Sequence, residues 1–165
     1  HYFSEEGKSL DGLVRTAMSE IGFSVEDGPD LNSYAVLRYS NRVAILMTKA
    51  STGVVSDRDA RQVEVWKSHY ESYTEQLPKG ILVVNAHKQL DITARGRECF
   101  TPEFISYTGA TNICSLTTTQ LVGILMDLKG NPKNREKVMN MLLDANGPIS
   151  GYDEPLNYLV PRSAA

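Results

Sequence analysis

Arg42-Val43-Ala44-Ile45-Leu46-Met47-Thr48-Lys49 is the stretch that decides the fold. Its residues from Val43 to Met47 are all apolar, so an extended chain here hides both faces, as a central strand covered by helices on each side does. Only the end of such a strand reaches polar surroundings, and Lys49 stands there. Upstream, Tyr34 to Tyr39 reads as a neighbouring strand, and the polar pair Ser40-Asn41 between the two suits a tight hairpin. Further back, Asp27-Gly28-Pro29-Asp30 is turn chemistry, and Phe23-Ser24-Val25-Glu26 alternates apolar and polar like a short strand. Leu10, Leu13, Val14, Ala17 and Ile21 recur at helical period, which predicts a helix over Ser4 to Ile21 that stops at Gly22.

Downstream of the stretch, Ser51-Thr52-Gly53 is a loop and Ser56 is placed to cap a long helix from Asp57 to about Gln76. Asp57 and Asp59 in its first turn suit the helix dipole, and Ala60, Val63, Trp66, Tyr70 and Tyr73 are read as its buried face. Gly80 to Val84 is a second continuous apolar strand and Asn112 to Leu116 a shorter one. A polar loop with Arg95 and Arg97 and a short helix are expected between them. Thr117 to Leu128 and Pro132 to Leu143 are the closing helices, the second entered at proline and stopped near Gly147. Strands alternating with helices define an α/β class with a mixed central β-sheet flanked by helices on both faces. A core over residues 1–130, a C-terminal helix over 131–147 packed on or extending it, and a tail over 148–165 are expected. The run Leu159 to Ala165 looks like part of a protease-cleavage linker, and with His1 at the other end both termini are set aside.

Composition narrows the function. With 41% hydrophobic and 22% charged residues, the 165-residue chain can bury a core without staples. A net charge of −3 supplies no global field for a polyanion, so nucleic-acid contact requires a local patch. Cys99 and Cys114 form no CxxC pair, and His69 and His87 have no partner at ligand spacing, so neither a zinc site nor a disulfide framework is indicated. A reducing, cytoplasmic compartment is expected, and no apolar run approaches the roughly 20 residues that span a bilayer. Phosphate loops, dinucleotide fingerprints and a Gly-x-Ser-x-Gly nucleophile turn are all missing from the sequence.

The element order, with an acid after a turn and a lysine ending a buried strand, resembles the PD-(D/E)xK nuclease superfamily over roughly Ser4 to Leu128. Pro29-Asp30 stands where that family has its PD, and Val43 to Lys49 where it has a hydrophobic strand ending in (D/E)xK. Asp59-Ala60-Arg61-Gln62 followed by Trp66 looks like the helix that carries a supporting glutamine in several branches. The resemblance implies a restriction-endonuclease-like fold and Mg²⁺-dependent phosphodiester hydrolysis of nucleic acid. In that chemistry two carboxylates hold the ion, the ion activates water, and a lysine supports developing charge.

One position departs from the pattern. Side chains two apart on a strand share a face, so the residue paired with Lys49 is Met47, and a soft, uncharged thioether does not replace a carboxylate on hard Mg²⁺. Of the acids on the following helix, Asp59 points toward the expected buried face and is the candidate for a migrated metal ligand beside Asp30; Glu6 on the first helix is a further one. Asp30, Lys49 and Gln62 are the candidate catalytic residues, and Arg58, Arg61 and Lys67 the candidate phosphate contacts. Each has a plainer reading: Asp30 a turn stabiliser, Lys49 a snorkelling amine, Asp59 a dipole partner, the rest solvated helix charges. The expectation is a catalytically degenerate domain of a larger protein that serves nucleic-acid binding or assembly. The alternatives are an active nuclease with a migrated carboxylate, and a regulatory protein-docking domain.

Overall fold

The computed structural model describes residues 8–29, 34–51, 53–85 and 100–153. The apolar stretch is β3 (Arg42–Ala50), and it lies inside a sheet of six strands in the order β1-β2-β3-β4-β5-β6. β1 (Ser24–Asp27), β2 (Ala35–Tyr39) and β3 form an antiparallel meander, while β4 (Lys79–Asn85), β5 (Ile113–Thr117) and β6 (Gly147–Pro148) continue parallel to β3. The sheet is therefore mixed. The β2–β3 hairpin turns in two residues between the pair Tyr39 and Arg42, with Ser40 at a φ of 56°.

Alternation along the strands sorts the core into two layers. Ala44 and Leu46 of β3, Ile81 and Val83 of β4, and Cys114 and Leu116 of β5 face α1 (Lys8–Ile21), α4 (Thr118–Gly130) and α5 (Arg135–Asp144). Val43 and Ile45 of β3, Leu82 and Val84 of β4, and Ile113 of β5 face α2 (Asp57–Thr74) and α3 (Pro102–Ala110). Both layers are needed because β3 and β4 have no polar face to show to water. Val138, Met139, Leu142 and Leu143 of α5 join the α1 layer, so this helix shares the core of the sheet. No helix of the described residues is long and apolar enough to cross a membrane.

Several boundaries differ from the sequence reading, each for a local reason. The described part of α1 begins at Lys8. α2 ends at Thr74 because Glu75 turns left-handed at φ 59° and its N–H closes on Glu71 O. The segment from Pro132 splits into a 3-10 turn, Pro132–Asn134, and α5. β6 is a strand that the sequence does not announce: two residues recruited by pairing Gly147 and Pro148 with Cys114 and Ser115.

The buried stripe of α2 is Ala60, Val63, Lys67 and Tyr70, rotated from the expected one. Trp66 is therefore only half-buried, and Tyr73, expected in the core, is 67% exposed and rests on the His69 ring with centroids 4.8 Å apart. Gly80 of β4 permits this close approach of α2, since a Cβ there would lie 2.7 Å from Val63 Cγ1.

Candidate functional site

The parallel strands β3, β4 and β5 finish on one edge, in the rows Lys49–Val84–Thr117 and Ala50–Asn85. α2, α3 and α4 all start from that edge, so it gathers strand ends, helix N-termini and the loops between them. Open α/β sheets place ligands outside the carboxyl ends of their strands, and Lys49 stands at that end.

Lys49 and Met47 leave β3 toward the α2 layer, whereas Thr48 between them turns to the α1 layer and donates its hydroxyl to Asp11 Oδ1 at 3.3 Å. Half of the Lys49 side chain is exposed. Its Nζ lies 3.5 Å from Asp59 Oδ1, and the Asp59 side chain is 19% exposed. Asp59 is the third residue of α2, and its other oxygen, Oδ2, accepts the Ser56 backbone N–H at 3.3 Å. The carboxylate thus serves the helix start and the lysine together. Met47 packs half-buried against the apolar cluster of the α2 layer.

The edge around this pair is tied down. Asn85, fully buried, accepts the Ser51 N–H through its carbonyl at 3.0 Å and the Thr118 hydroxyl through Oδ1 at 3.2 Å. Thr101 N donates to Val55 O at 3.1 Å beside the bridge of Val55 with Phe100, which joins the approach to α2 to the approach to α3. Asn85 was not singled out from the sequence; a polar residue closing the otherwise apolar run Ile81 to Val84 is the signal for it.

Of the other candidates, Asp30 and Glu6 lie outside the described residues. Among the described residues on either side of Asp30, Gly28 N donates to Tyr34 O at 3.1 Å, one residue before the pair Ala35 and Leu46. Gln62 is exposed on α2, and no hydrogen bond among the described residues joins it to Lys49 or Asp59. Arg58 is exposed; Arg61 pairs with Asp57 at 3.1 Å and lies 4.5 Å from the Tyr107 ring centroid. Lys67 is not on the exterior: it is 5% exposed, and its amine donates to Glu64 Oε1 at 2.7 Å and Thr111 O at 2.8 Å.

The described donors at this edge do not by themselves fit a magnesium ion. Hard cations require several oxygen ligands, and here one carboxylate is shared with an ammonium and a backbone N–H, with a thioether alongside. Among the described residues no three His, Cys, Asp or Glu side chains converge. What the arrangement offers is a half-exposed cation on a rigid strand end, held near a helix start. Comparison with protein-family models, with curated proteins and with solved structures gives no match.

Proposed function

We propose that the chain is a restriction-endonuclease-like domain of a larger protein whose catalytic site is degenerate and which contributes nucleic-acid binding or assembly. The observation that carries this reading is Met47. It shares the strand face of Lys49 at the spacing where hydrolysis needs a carboxylate, and the nearest described acid, Asp59, is already committed to Lys49 and Ser56. Fold and residue order support it: a helix, a three-stranded meander, a crossover helix and a parallel strand surround that edge.

A binding role assigns Lys49, with the exposed Arg58 and Arg61, to phosphate oxygens without chemistry on the phosphorus. The test is a labelled DNA or RNA duplex titrated at two salt concentrations in parallel with a Mg²⁺ cleavage assay. Binding that weakens steeply with salt, without cleavage, is the expected result. Salt-independent binding or none moves the domain to assembly, and cleavage removes the degenerate reading.

One observation favours the active alternative: Asp59 reaches Lys49 from the helix, where a migrated carboxylate would have to stand. On that reading Asp30 and Asp59 hold Mg²⁺, Lys49 is the charged catalytic group and Gln62 supports it. Asp30→Ala and Lys49→Ala then each abolish cleavage with the melting temperature kept.

A further inference from the structure

α4 is apolar around more of its circumference than the core uses. Leu121, Ile124 and Leu128 enter the core beneath it. A second flank lies under the segment 149–153: Gln120 Nε2 donates to Ile149 O and Gly151 O, each at 3.0 Å, and a Cβ on Gly123 would stand 2.8 Å from Tyr152 O. The third flank, Val122, Leu125 and Met126, is only half-covered. A surface helix ordinarily turns polar residues to water on the face that its core does not use. Here the third flank lines a groove of about 630 Å³ that also takes in Glu20 at the end of α1 and Lys129 and Arg135 at its rim.

Charge distinguishes this groove from an accidental apolar patch. Residues 129–137 hold Lys129, Lys133, Arg135 and Lys137, all exposed, in a chain whose total charge is −3; of these, Lys129 and Arg135 line the groove with Glu20, whose carbonyl accepts from Arg135 Nε at 3.1 Å. Among the described residues no ion pair neutralises any of the four cations. Glu136, the acid among them, is turned to the Tyr39 hydroxyl. The groove is walled by helices and offers no strand edge, so an extended peptide gains no backbone pairing, whereas the ridge of another helix fits between two helices.

We propose that this groove docks an amphipathic α-helix of a protein partner, apolar on the face laid against Val122, Leu125 and Met126 and acidic on the flank that meets Lys129 and Arg135. It lies on the sheet face opposite Lys49 and Asp59, so the proposal does not depend on what that edge binds. The probe is a fluorescein-labelled designed peptide with leucines on one helical face and glutamates on its flanks, titrated into the full chain by anisotropy. Saturable binding is expected, weakened about tenfold or more by Met126→Glu, with the circular-dichroism melt unchanged. The pair Lys129→Glu and Arg135→Glu, both on exposed side chains, is expected to weaken binding comparably and to remove most of its salt dependence, and a peptide with lysine flanks is expected not to bind. Absence of saturable binding to the wild type, or equal affinity for all variants, overturns the proposal. It is equally overturned if the groove residues bind anionic phosphatidylglycerol vesicles and not the peptide, or if light scattering shows a dimer that Met126→Glu dissolves.

Discussion

Where the parallel strands begin, Arg42, Lys67 and Lys79 each donate to a main-chain carbonyl at the end of a helix or in the turn that follows it: Leu143, Thr111 and Ala145. Where the same strands finish, Lys49 keeps half its side chain exposed and stands 3.5 Å from Asp59. The first end consumes its cations in closing the fold. Helix C-termini leave carbonyls without intrahelical partners, and a buried ammonium satisfies them while its own hydrogens are satisfied in return. Lys79 reaches Asn112 Oδ1 and Asn146 Oδ1, each at 2.8 Å, besides Ala145 O. Among the described residues the cation at the second end closes no main-chain carbonyl, which is what the proposed binding role needs and a structural one does not.

Substitution at the closed end is the severest way to test this contrast. Lys79→Met removes a buried ammonium and the three hydrogen bonds by which it joins Asn112, Ala145 and Asn146, and is expected to cost about 3 kcal/mol in urea denaturation. A loss below about 0.5 kcal/mol would remove the distinction between the two ends. Next in size, Gly80→Ala drives a methyl against Val63 Cγ1 at 2.7 Å and Ile113 Cγ1 at 3.1 Å, and overpacking there is expected to cost about 2 kcal/mol, with α2 displaced from β4.

The pH dependence of the closed end sharpens the comparison further. Burial pushes the Cys114 thiol up to about 12 from an ordinary 9.0, against the opposing effect of Lys79. Above pH 9 the unfolded chain releases this proton and the folded chain keeps it, so the contribution of Cys114 to stability falls by up to about 1.4 kcal/mol per pH unit. Lys79 acts in the other direction. Burial lowers its pKa below 10.5, so between the lowered value and 10.5 the unfolded chain holds more protons and stability rises with pH. Cys114→Ala is therefore expected to make the slope of stability against pH more positive above pH 9, measured by urea midpoints. An unchanged slope would mean that the thiol does not titrate in this way. The smallest effect belongs to the open end: Lys49→Met is expected to change stability by less than about 0.5 kcal/mol, because a half-exposed pair contributes little.

The order of elements was legible in the sequence because β3 and β4 are apolar on both faces and α1 repeats at 3.6, patterns that local chain geometry imposes. β6 was not, since nothing in Gly147-Pro148 marks a strand; the β5 edge and the hooks of Gln120 on Ile149 and Gly151 create it. The face of α2 was misjudged through its aromatics. Trp66 and Tyr73 drew the buried stripe toward themselves, whereas Lys67, four residues after Val63 and three before Tyr70, lies on the stripe because Thr111 O and Glu64 wait for its amine. At the candidate site the proximity of Lys49 to Asp59 followed from strand end and helix start, while the engagement of Asp59 with Ser56 N depends on the cap geometry itself.

The central claim concerns the open end, and calorimetric titration of the wild type with Mg²⁺ and with Mn²⁺, beside Asp30→Ala, tests it most directly. The account predicts no heat of specific binding in either protein, because Met47 supplies no charge and Asp59 is held by Lys49 and Ser56. Stoichiometric binding by the wild type that disappears in Asp30→Ala would contradict it and establish a metal site with a migrated carboxylate.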